Sequence, residues 1–533
     1  MNAYATKLEV FGLFLISFLI FVWPNPVNEI IGFESRFYVF ALDMWRHGIS
    51  WFPTTYQQPY PDYPGTSTWV IYGLAKLFGH LNKWIAVLPS AIGAALTVVL
   101  TYLIGCLQSK RWGLSGVCFL LLTITFLKSA RSLSLDVYPL LFTTWCFYLV
   151  YSADVQQKPQ RAYWIYLLMF LSFAFRGPIG LVMPAGVVCI YYLLNKNVKQ
   201  FFVSGVIALC LLALSTVGLL ALAEHVGGAA FRAAVLRMQV VGRIDNPYLP
   251  FHFYFTGGLG NNALSFPLAC LTIVGFIYYS LRRVLLPYKH MLLQLLGWML
   301  VILIGMSIPG DKKIRYVLPM LPAAALLAAY PFSVVNTKKY FIYFQKLGSC
   351  FFLFFPAFLF IVTEILFFYQ KQKLSGLSIN YGMVLSLLMV LQFLNLWLRY
   401  SRATAKYIIP LAATSFVIFY ISVIERVELY IDKAYHFVTA IEKLRIEQHA
   451  QLVFYKERSD GLPIKYLVNM QQEEVPIFIE DQKALAQYKT RAFFVTSDTY
   501  FEELPKDVIK QFTIVANDTL GHNRVVIFTQ RSL

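Results

Sequence analysis

The sequence predicts a multi-pass α-helical membrane protein that ends in a soluble α/β domain. Of the 533 residues, 58% are apolar and only 14% are charged, whereas soluble domains are about one-quarter charged. Apolar runs long enough to cross a bilayer as helices recur from Leu8 to Ile424. After Ile424 the composition changes abruptly to charged and β-rich segments. These observations divide the chain into a membrane domain, 1–424, and a soluble tail, 425–533.

The membrane domain is expected to contain about 13 transmembrane helices. The first apolar run is not followed by a small-residue cleavage site, which favours a retained helix over a signal peptide. A long first outer loop, 25–83, separates it from the others. The predicted spans are 8–23, 84–107, 112–128, 136–152, 162–176, 178–194, 201–222, 253–280, 291–308, 316–333, 342–369, 377–399 and 406–424.

The net charge of +18 belongs to the membrane domain. Residues 1–424 contain 31 Lys and Arg against 11 Asp and Glu, whereas the tail contains 14 against 16. Cationic loops between spans follow from the positive-inside rule and from anionic lipid headgroups, so the charge does not indicate nucleic acid as a partner. The alternation of basic connections predicts a cytoplasmic N-terminus and a tail on the outer side.

The tail is predicted to be a small α/β domain. A charged, helix-like segment runs from Glu425 to His449, and four β-rich runs follow it. These runs are 475–479, 492–495, 512–515 and 524–528. About a hundred residues are enough for a domain with its own core.

Acidic residues are concentrated in the first outer loop. Four of the eleven acidic residues in the membrane domain lie there: Glu29, Glu34, Asp43 and Asp62. For Glu34 and Asp62 a catalytic role and a structural salt bridge, for instance with Arg36, are both open, whereas a structural role is favoured for Asp43. The loop is the predicted site.

Basic residues cluster at the outer ends of later spans. An isolated charge near membrane depth costs about 2.5–3.5 kcal/mol, so such groups usually pair or bind a ligand. Lys312, Lys313 and Arg315 place three cations within four residues on the side that the positive-inside rule disfavours, which predicts a bound phosphate. Further polar residues at outer span ends are Lys128, Arg131, Asp136, Arg176, Arg237, Arg243 and Asp245. Any one of these basic residues alone is more often a headgroup anchor.

No metal site is predicted from the cysteines or histidines. The seven cysteines lie within or at the ends of apolar spans, which is typical of small buried residues rather than of disulfides or zinc ligands. The eight histidines show no ligand spacing. A divalent ion can assist a phosphate ligand, but no ligand set argues for one, so we expect no cofactor.

The first outer loop carries a spaced set of residues: Glu34, Arg36, Met44, Gly48, Pro53, Tyr60 and Pro64. This spacing resembles that of membrane glycosyltransferases that use polyprenyl-phosphate sugars and have the GT-C fold. In particular it is similar to the aminoarabinose-to-lipid-A transferases and their protein-mannosyltransferase relatives. The resemblance covers nearly the whole chain and is weakest in the tail. It continues through Leu88-Pro89-Ser90, Ala130-Arg131, Leu135-Asp136, Arg176-Gly177-Pro178 and Tyr316-Val317-Leu318-Pro319.

The loop departs from the family pattern at two places. Phe33 stands where the family has its catalytic acid, and Asp62-Tyr63 stands where it has Glu-Lys. Either Glu34 or Asp62 has taken over the catalytic role, or the chain is a divergent member with changed chemistry. The resemblance implies donor-phosphate contacts from Lys312, Lys313, Arg315, Arg131, Arg243 and Tyr63, with supporting roles for Arg36, Asp136 and Arg176.

The activity that the resemblance implies is inverting transfer of a sugar from a polyprenyl phosphate to lipid A, lipopolysaccharide or a protein. The sugar would be 4-amino-4-deoxy-L-arabinose, and the site would face the periplasm from a bacterial inner membrane. Two rival interpretations stay open. A transporter or flippase of a lipid-linked saccharide also needs outer basic groups, and a catalytically inactive relative would explain Phe33 and Tyr63.

Overall fold

The computed structural model divides the chain into two compact units. The helical unit comprises Met1–Trp23, Pro61–Ser67 and Val87–Arg426, and the mixed unit comprises Pro24–Tyr60, Thr68–Ala86 and Val427–Leu533. The residues that the structure describes are 5–23, 36–55, 58–61, 64–241, 249–310, 312–334, 338–373, 379–400, 407–431, 434–457, 461–470, 476–520 and 523–531.

Helices account for most of the described chain. In order they are α1 (Lys7–Val22), α2 (Arg36–His47), α3 (Thr66–Phe78), α4 (Lys83–Cys106), α5 (Lys110–Leu121), α6 (Ile124–Ala130), α7 (Val137–Val155), α8 (Trp164–Leu194) and α9 (Val198–Leu236). The helices that follow are Phe253–Asn261, Ser265–Leu281, Lys289–Ser307, Leu321–Ser333, Lys339–Leu353, Phe355–Lys373, Tyr381–Tyr400, Ile408–Phe419, Glu425–Ile431, Ala434–Glu447, Leu462–Asn469, Gln482–Ala486, Asp498–Glu502 and Lys506–Ile509.

The multi-pass helical architecture predicted from the sequence is confirmed. Among the described residues, seven helices are long and apolar enough to cross a membrane, or ten if each of three bent pairs is one span. Each of the thirteen predicted spans lies on one of these helices or pairs, or on α1 or α7. The bent pairs are Lys110–Leu121 with Ile124–Ala130, Phe253–Asn261 with Ser265–Leu281, and Lys339–Leu353 with Phe355–Tyr369.

Helix α8 is a hairpin of two helical segments that meet at Gly177. Gly177 has φ of 65° and ψ of −154°, a conformation that only glycine adopts readily. The Ser172 hydroxyl donates a 2.6 Å hydrogen bond to the carbonyl of Gly180. In a straight helix these residues would be about 12 Å apart along the axis, so the chain reverses between them. The predicted division into spans 162–176 and 178–194 agrees with this reversal.

Substitution of Gly177 or Gly180 by Ala is expected to destabilise the helical unit. At Gly177 the left-handed backbone conformation would cost about 1–3 kcal/mol. At Gly180 an added Cβ would lie 2.1 Å from the Ser172 carbonyl oxygen, which belongs to the backbone. Thermal unfolding in detergent measures the loss. Gly186→Ala is the matched control because its Cβ would meet Val301 at an ordinary 3.5 Å; an equal loss there would refute the explanation.

Helix α7 joins two polar clusters at opposite ends of the helical unit. Asp136 precedes its first residue, and Asp154 lies in its last turn. Its 19 residues make a helix about 28 Å long, close to the roughly 30 Å thickness of the hydrocarbon core. The two halves of α8 connect the same ends, because Arg176 contacts Asp136 and Asn195 contacts Asp154. We call the end with Asp136 the site end.

Most of the described part of the first outer loop lies in the mixed unit, whereas Pro61–Ser67 belongs to the helical unit. Helix α2 is amphipathic and buries Phe37, Phe40 and Met44. Asp43 on α2 is also buried and accepts a hydrogen bond from the Thr54 hydroxyl. Its second oxygen lies 3.1 Å from His47 Nδ1. These contacts are consistent with the structural role predicted for Asp43.

The C-terminal part of the mixed unit is a five-stranded sheet between two helical layers. Strands β1 (Thr54–Thr55) and β2 (Gln58–Pro59) form a separate two-residue pair earlier in the chain. The strands of the five-stranded sheet are β3 (Gln451–Tyr455), β4 (Ile477–Ile479), β5 (Ala492–Ser497), β6 (Phe512–Leu520) and β7 (Asn523–Gln530). Their order is β4-β3-β5-β7-β6. Pairing is parallel from β4 to β5 and antiparallel from β5 to β6. The predicted α/β tail is therefore confirmed, but β3 was not among the predicted strands.

The sheet buries side chains on both faces. Along β5, Phe493 and Val495 pack into one core, whereas Ala492 and Phe494 pack into the other. This alternation follows from the two-residue period of a strand. A buried network lies on the first face, where the Arg445 guanidinium and the Tyr466 hydroxyl both donate hydrogen bonds to Glu442. Helix Leu462–Asn469, which carries Tyr466, also packs against α2.

Candidate functional site

An aspartate between two arginines forms the centre of the site end. Asp136 Oδ1 accepts a 2.8 Å hydrogen bond from Arg176 Nε, and Oδ2 lies 2.8 Å from Arg315 Nε in an ion pair. Asp136 and Arg176 are buried, and Arg315 is partly exposed. The Gly177 turn places Arg176 here, and the position of Asp136 before the first turn of α7 favours a negative charge.

The ring of Tyr316 lies among three cations. The guanidinium carbons of Arg176 and Arg315 lie 5.8 and 5.9 Å from its centroid, and Lys313 Nζ lies 5.9 Å from it. Tyr316 is buried, and these distances are at the outer limit of cation–π attraction. The short 3₁₀ helix Ile314–Met320, which carries Arg315 and Tyr316, begins immediately after Lys313.

Lys312 and Lys313 differ in environment. The Lys312 ammonium is buried and donates hydrogen bonds to the carbonyls of Leu249, at 2.9 Å, and Pro309, at 2.6 Å. The Lys313 side chain is half-buried, while its backbone N–H donates to the hydroxyl of buried Tyr254. Lys312 therefore fixes the loop, and Lys313 is the better placed of the two for a ligand.

The charged residues that the structure describes in this cluster are four cations and one carboxylate. Arg176, Lys312, Lys313 and Arg315 are cations, and Asp136 is the one carboxylate that the structure places among them. We call these five residues the cation cluster. Guanidinium and ammonium groups are preferred partners of phosphate, so the chemistry of the cluster suits an anionic ligand.

Arg131 lies in a separate buried ion pair at the same end of the helical unit. Its Nε and Nη2 donate to the two carboxylate oxygens of Glu425, at 2.6 and 2.9 Å. It also donates to the carbonyls of Ile20 and Trp23, where α1 ends. The side chain is almost completely buried. These partners favour a structural role, whereas the sequence predicted a donor-phosphate contact.

The chain is similar in sequence and in structure to known proteins. The family model for dolichyl-phosphate-mannose-protein mannosyltransferases matches residues 62–219. An uncharacterized protein of Aquifex aeolicus (strain VF5) is 24% identical over 354 residues, which are 64% of this chain and 77% of that protein. The crystal structure of apo ArnT from Cupriavidus metallidurans is 15% identical, with a TM-score of 0.68, over 98% of this chain and 97% of that one. The chain has the GT-C fold.

A second structure extends the likeness to a ligand-bound state. ArnT from Cupriavidus metallidurans bound to undecaprenyl phosphate is 16% identical, with a TM-score of 0.65, over 98% of each chain. The matched length includes the α/β tail as well as the helical unit. The family-model match includes Arg131, Asp136 and Arg176, so it covers two members of the cation cluster.

Four predicted site residues lie outside the described residues: Glu34, Asp62, Tyr63 and Arg243. Arg36 is described in the mixed unit, where its guanidinium lies 5.1 Å from the centroid of the Phe37 ring. Two positions further on, burial raises the pKa of the Tyr38 phenol, and the nearby Arg46 cation opposes that rise. The roles of these five predicted residues stay predictions.

Among the residues that the structure describes, no group of three or more His, Cys, Asp and Glu side chains is arranged to hold a metal ion.

Tyr316 and Glu425 lie at the site end but were not among the predicted site residues. Tyr316 follows the basic triplet directly, so an aromatic residue beside clustered cations was a local indication. Glu425 is the first charged residue after the last predicted span. Its partner Arg131 is 294 positions earlier, and no local pattern connects them.

Proposed function

We propose that this protein is an inverting glycosyltransferase that uses a polyprenyl-phosphate sugar as donor. The observation that carries the proposal is the convergence of Arg176, Lys313 and Arg315 around Tyr316, with Asp136 as the carboxylate among them. Guanidinium and ammonium groups are suited to bind a donor phosphate. The GT-C fold and the ArnT structure with bound undecaprenyl phosphate support this choice of ligand.

The reaction is a displacement at the anomeric carbon of the donor sugar. An acceptor oxygen attacks this carbon, the bond from the carbon to the phosphate oxygen breaks, and the polyprenyl phosphate leaves with the bonding electrons. Lys313 and Arg315 would stabilise the negative charge that grows on the leaving phosphate. Arg176 and Asp136 are more deeply buried, so we assign them the positioning of Arg315 and Tyr316.

A carboxylate completes the mechanism. The transition state of glycosyl transfer is oxocarbenium-like, so a nearby carboxylate stabilises it, and it can also remove the proton of a hydroxyl acceptor. We assign this role to Glu34 or Asp62. Arg36 would support the loop, and Tyr63 and Arg243 would lie near the donor phosphate. These assignments rest on the sequence pattern of the first outer loop.

We propose 4-amino-4-deoxy-L-arabinose as the sugar and lipid A or lipopolysaccharide as the acceptor. The first-loop spacing supports this choice, since it resembles that of the aminoarabinose-to-lipid-A transferases. A phosphate group of lipid A is already an anionic nucleophile and needs no general base. An acceptor of this kind fits a chain that has Phe33 at the position of the family acid.

The proposed location is a bacterial inner membrane, with the N-terminus in the cytoplasm and the tail in the periplasm. Near the start of α1, Glu9 pairs with Lys110 at 2.7 Å. At the other end of α1, Arg131 connects the Trp23 carbonyl with Glu425, where the tail begins. This geometry supports opposite sides for the two termini. In this proposal residues 1–424 perform catalysis with loop 25–83, and 425–533 form the periplasmic domain.

Transfer of a radiolabelled sugar from polyprenyl-phosphate donors, measured in membranes, tests the proposal. Wild type should transfer, and Lys313→Ala should reduce transfer by about 10- to 100-fold, because a charge-assisted hydrogen bond is worth about 1.5–3 kcal/mol. Lys289→Ala is the control, since Lys289 is exposed at the opposite end of the helical unit. No transfer by folded wild type from a broad donor panel would favour a flippase or an inactive relative instead.

A further inference from the structure

A cavity of about 530 Å³ opens at the end of the helical unit opposite the site end. It lies where α7 and α8 end and where helix Lys289–Ser307 begins. Its volume is within the range of about 300–1,000 Å³ that is usual for small-molecule pockets. The polar residues that line it are Asp154, Tyr192, Asn195, Lys196, Asn197 and His290. The proposed transferase mechanism uses none of them.

Buried groups hold the Asp154 carboxylate in place. Its Oδ2 accepts hydrogen bonds from the hydroxyl of buried Tyr191 and from Asn195 Nδ2, the latter at 3.2 Å. The Asn195 side chain is held in turn by buried Gln294, whose Nε2 donates to Asn195 Oδ1 at 2.6 Å. His290 Nε2 lies 2.7 Å from the same oxygen. Both bonds to the carboxylate use Oδ2, so Oδ1 retains its capacity to accept from a ligand.

The second charged group of the cavity is Lys196. Its ammonium forms no ion pair with any residue that the structure describes, and it is exposed. A carboxylate and an ammonium therefore line one cavity without neutralising each other. A singly charged ligand would match one of these groups and be repelled by the other. A ligand that carries both an ammonium and a phosphate would match both.

The position of the cavity favours a lipid over a soluble ligand. The length of α7, about 28 Å, separates the cavity from the site end by about the thickness of a hydrocarbon core. The cavity is therefore at headgroup depth of the opposite leaflet. Large apolar side chains are exposed beside it on α8 and α9, namely Leu193, Val198 and Phe202. They provide a surface on which acyl chains can lie.

We propose that this cavity binds the headgroup of a zwitterionic phospholipid with a primary ammonium, with Asp154 on the ammonium and Lys196 on the phosphate. The site is independent of the proposed transfer reaction. It would attach one lipid to the leaflet opposite the cation cluster, where α7 and α8 end.

Native mass spectrometry of the full chain in mild detergent tests this site. Phosphatidylethanolamine and phosphatidylglycerol with the same acyl chains are titrated separately. The ethanolamine lipid should bind about tenfold more tightly, since one additional charge-assisted hydrogen bond is worth about 1.5–3 kcal/mol. Asp154→Asn should abolish this preference. Lys196→Gln should weaken binding of both lipids. The Lys196 ammonium forms no ion pair in the described chain, so the substitution breaks none there.

Lys199→Gln is the matched control, because Lys199 is exposed on the first turn of α9 and does not line the cavity. It should leave both affinities unchanged. Equal binding of the two lipids by wild type, or a preference that survives Asp154→Asn, would overturn the proposal. Displacement of the lipid by an equal concentration of soluble phosphoethanolamine would overturn the assignment to a membrane lipid.

Discussion

Replacing Glu34 by Gln, or Asp62 by Asn, is expected to lower sugar transfer by about 10²- to 10⁴-fold while the protein stays folded, which is the usual effect of removing a catalytic acid or base. Both substitutions keep the size of the side chain and remove its negative charge. The oxocarbenium-like transition state would lose its counter-charge, and a hydroxyl acceptor would lose its base. Radiolabelled transfer in membranes, normalised to folded protein, measures the effect.

Two comparisons make this experiment specific. Glu224→Gln is the control, because Glu224 is an exposed carboxylate whose partner is Arg232, also exposed. The two acceptor classes should also differ, since a phosphate acceptor needs no base and should show the smaller loss. If both Glu34→Gln and Asp62→Asn transfer at the wild-type rate, neither carboxylate belongs to the mechanism.

The second large effect is expected from Arg131→Met, which should destabilise the helical unit by about 3–5 kcal/mol. The substitution removes the cation that pairs with the Glu425 carboxylate, and this carboxylate is mostly buried. It also removes the donors that satisfy the carbonyls of Ile20 and Trp23 at the end of α1, and such carbonyls have no partner within their own helix. Thermal unfolding in detergent measures the loss.

The exposed pair between Arg232 and Glu224 provides the control for Arg131. Both of these side chains are 48% exposed, so Arg232→Met should cost less than about 1 kcal/mol. The double variant Arg131→Met, Glu425→Met should recover part of the lost stability, since a buried pair is often replaceable by apolar residues. Unchanged stability with lost transfer would instead favour the donor-phosphate contact predicted from the sequence.

The cation cluster shows which part of a site can be predicted locally. Lys312, Lys313 and Arg315 are adjacent in sequence, and their charge in an apolar chain identified them. Their individual roles were not predictable, because Lys312 Nζ is held by the carbonyls of Leu249 and Pro309. Such contacts depend on the path of the backbone, which residue types do not specify.

The partner of Arg176 could not be predicted from the sequence and is given by the fold. Taken alone, a basic residue at a span end is most simply a headgroup anchor. The reversal at Gly177 places Arg176 2.8 Å from Asp136 Oδ1, and Arg315 joins the same carboxylate from a third segment. The tail gives a similar case, since β3 is a five-residue run whose internal position in the sheet comes from pairing with both β4 and β5.

Four features could be predicted from the amino-acid sequence: the membrane class, the positions of the apolar helices, the change to an α/β tail and the cluster of basic residues at Lys312, Lys313 and Arg315. These features depend on composition and on the spacing of apolar residues along the chain. Both can be recognised within a short window of sequence. In contrast, the cluster of Asp136, Arg176 and Arg315 and the pair of Arg131 with Glu425 became visible in the folded chain. An ion pair between distant residues depends on how whole helices pack against each other, and no single segment of the sequence specifies that packing.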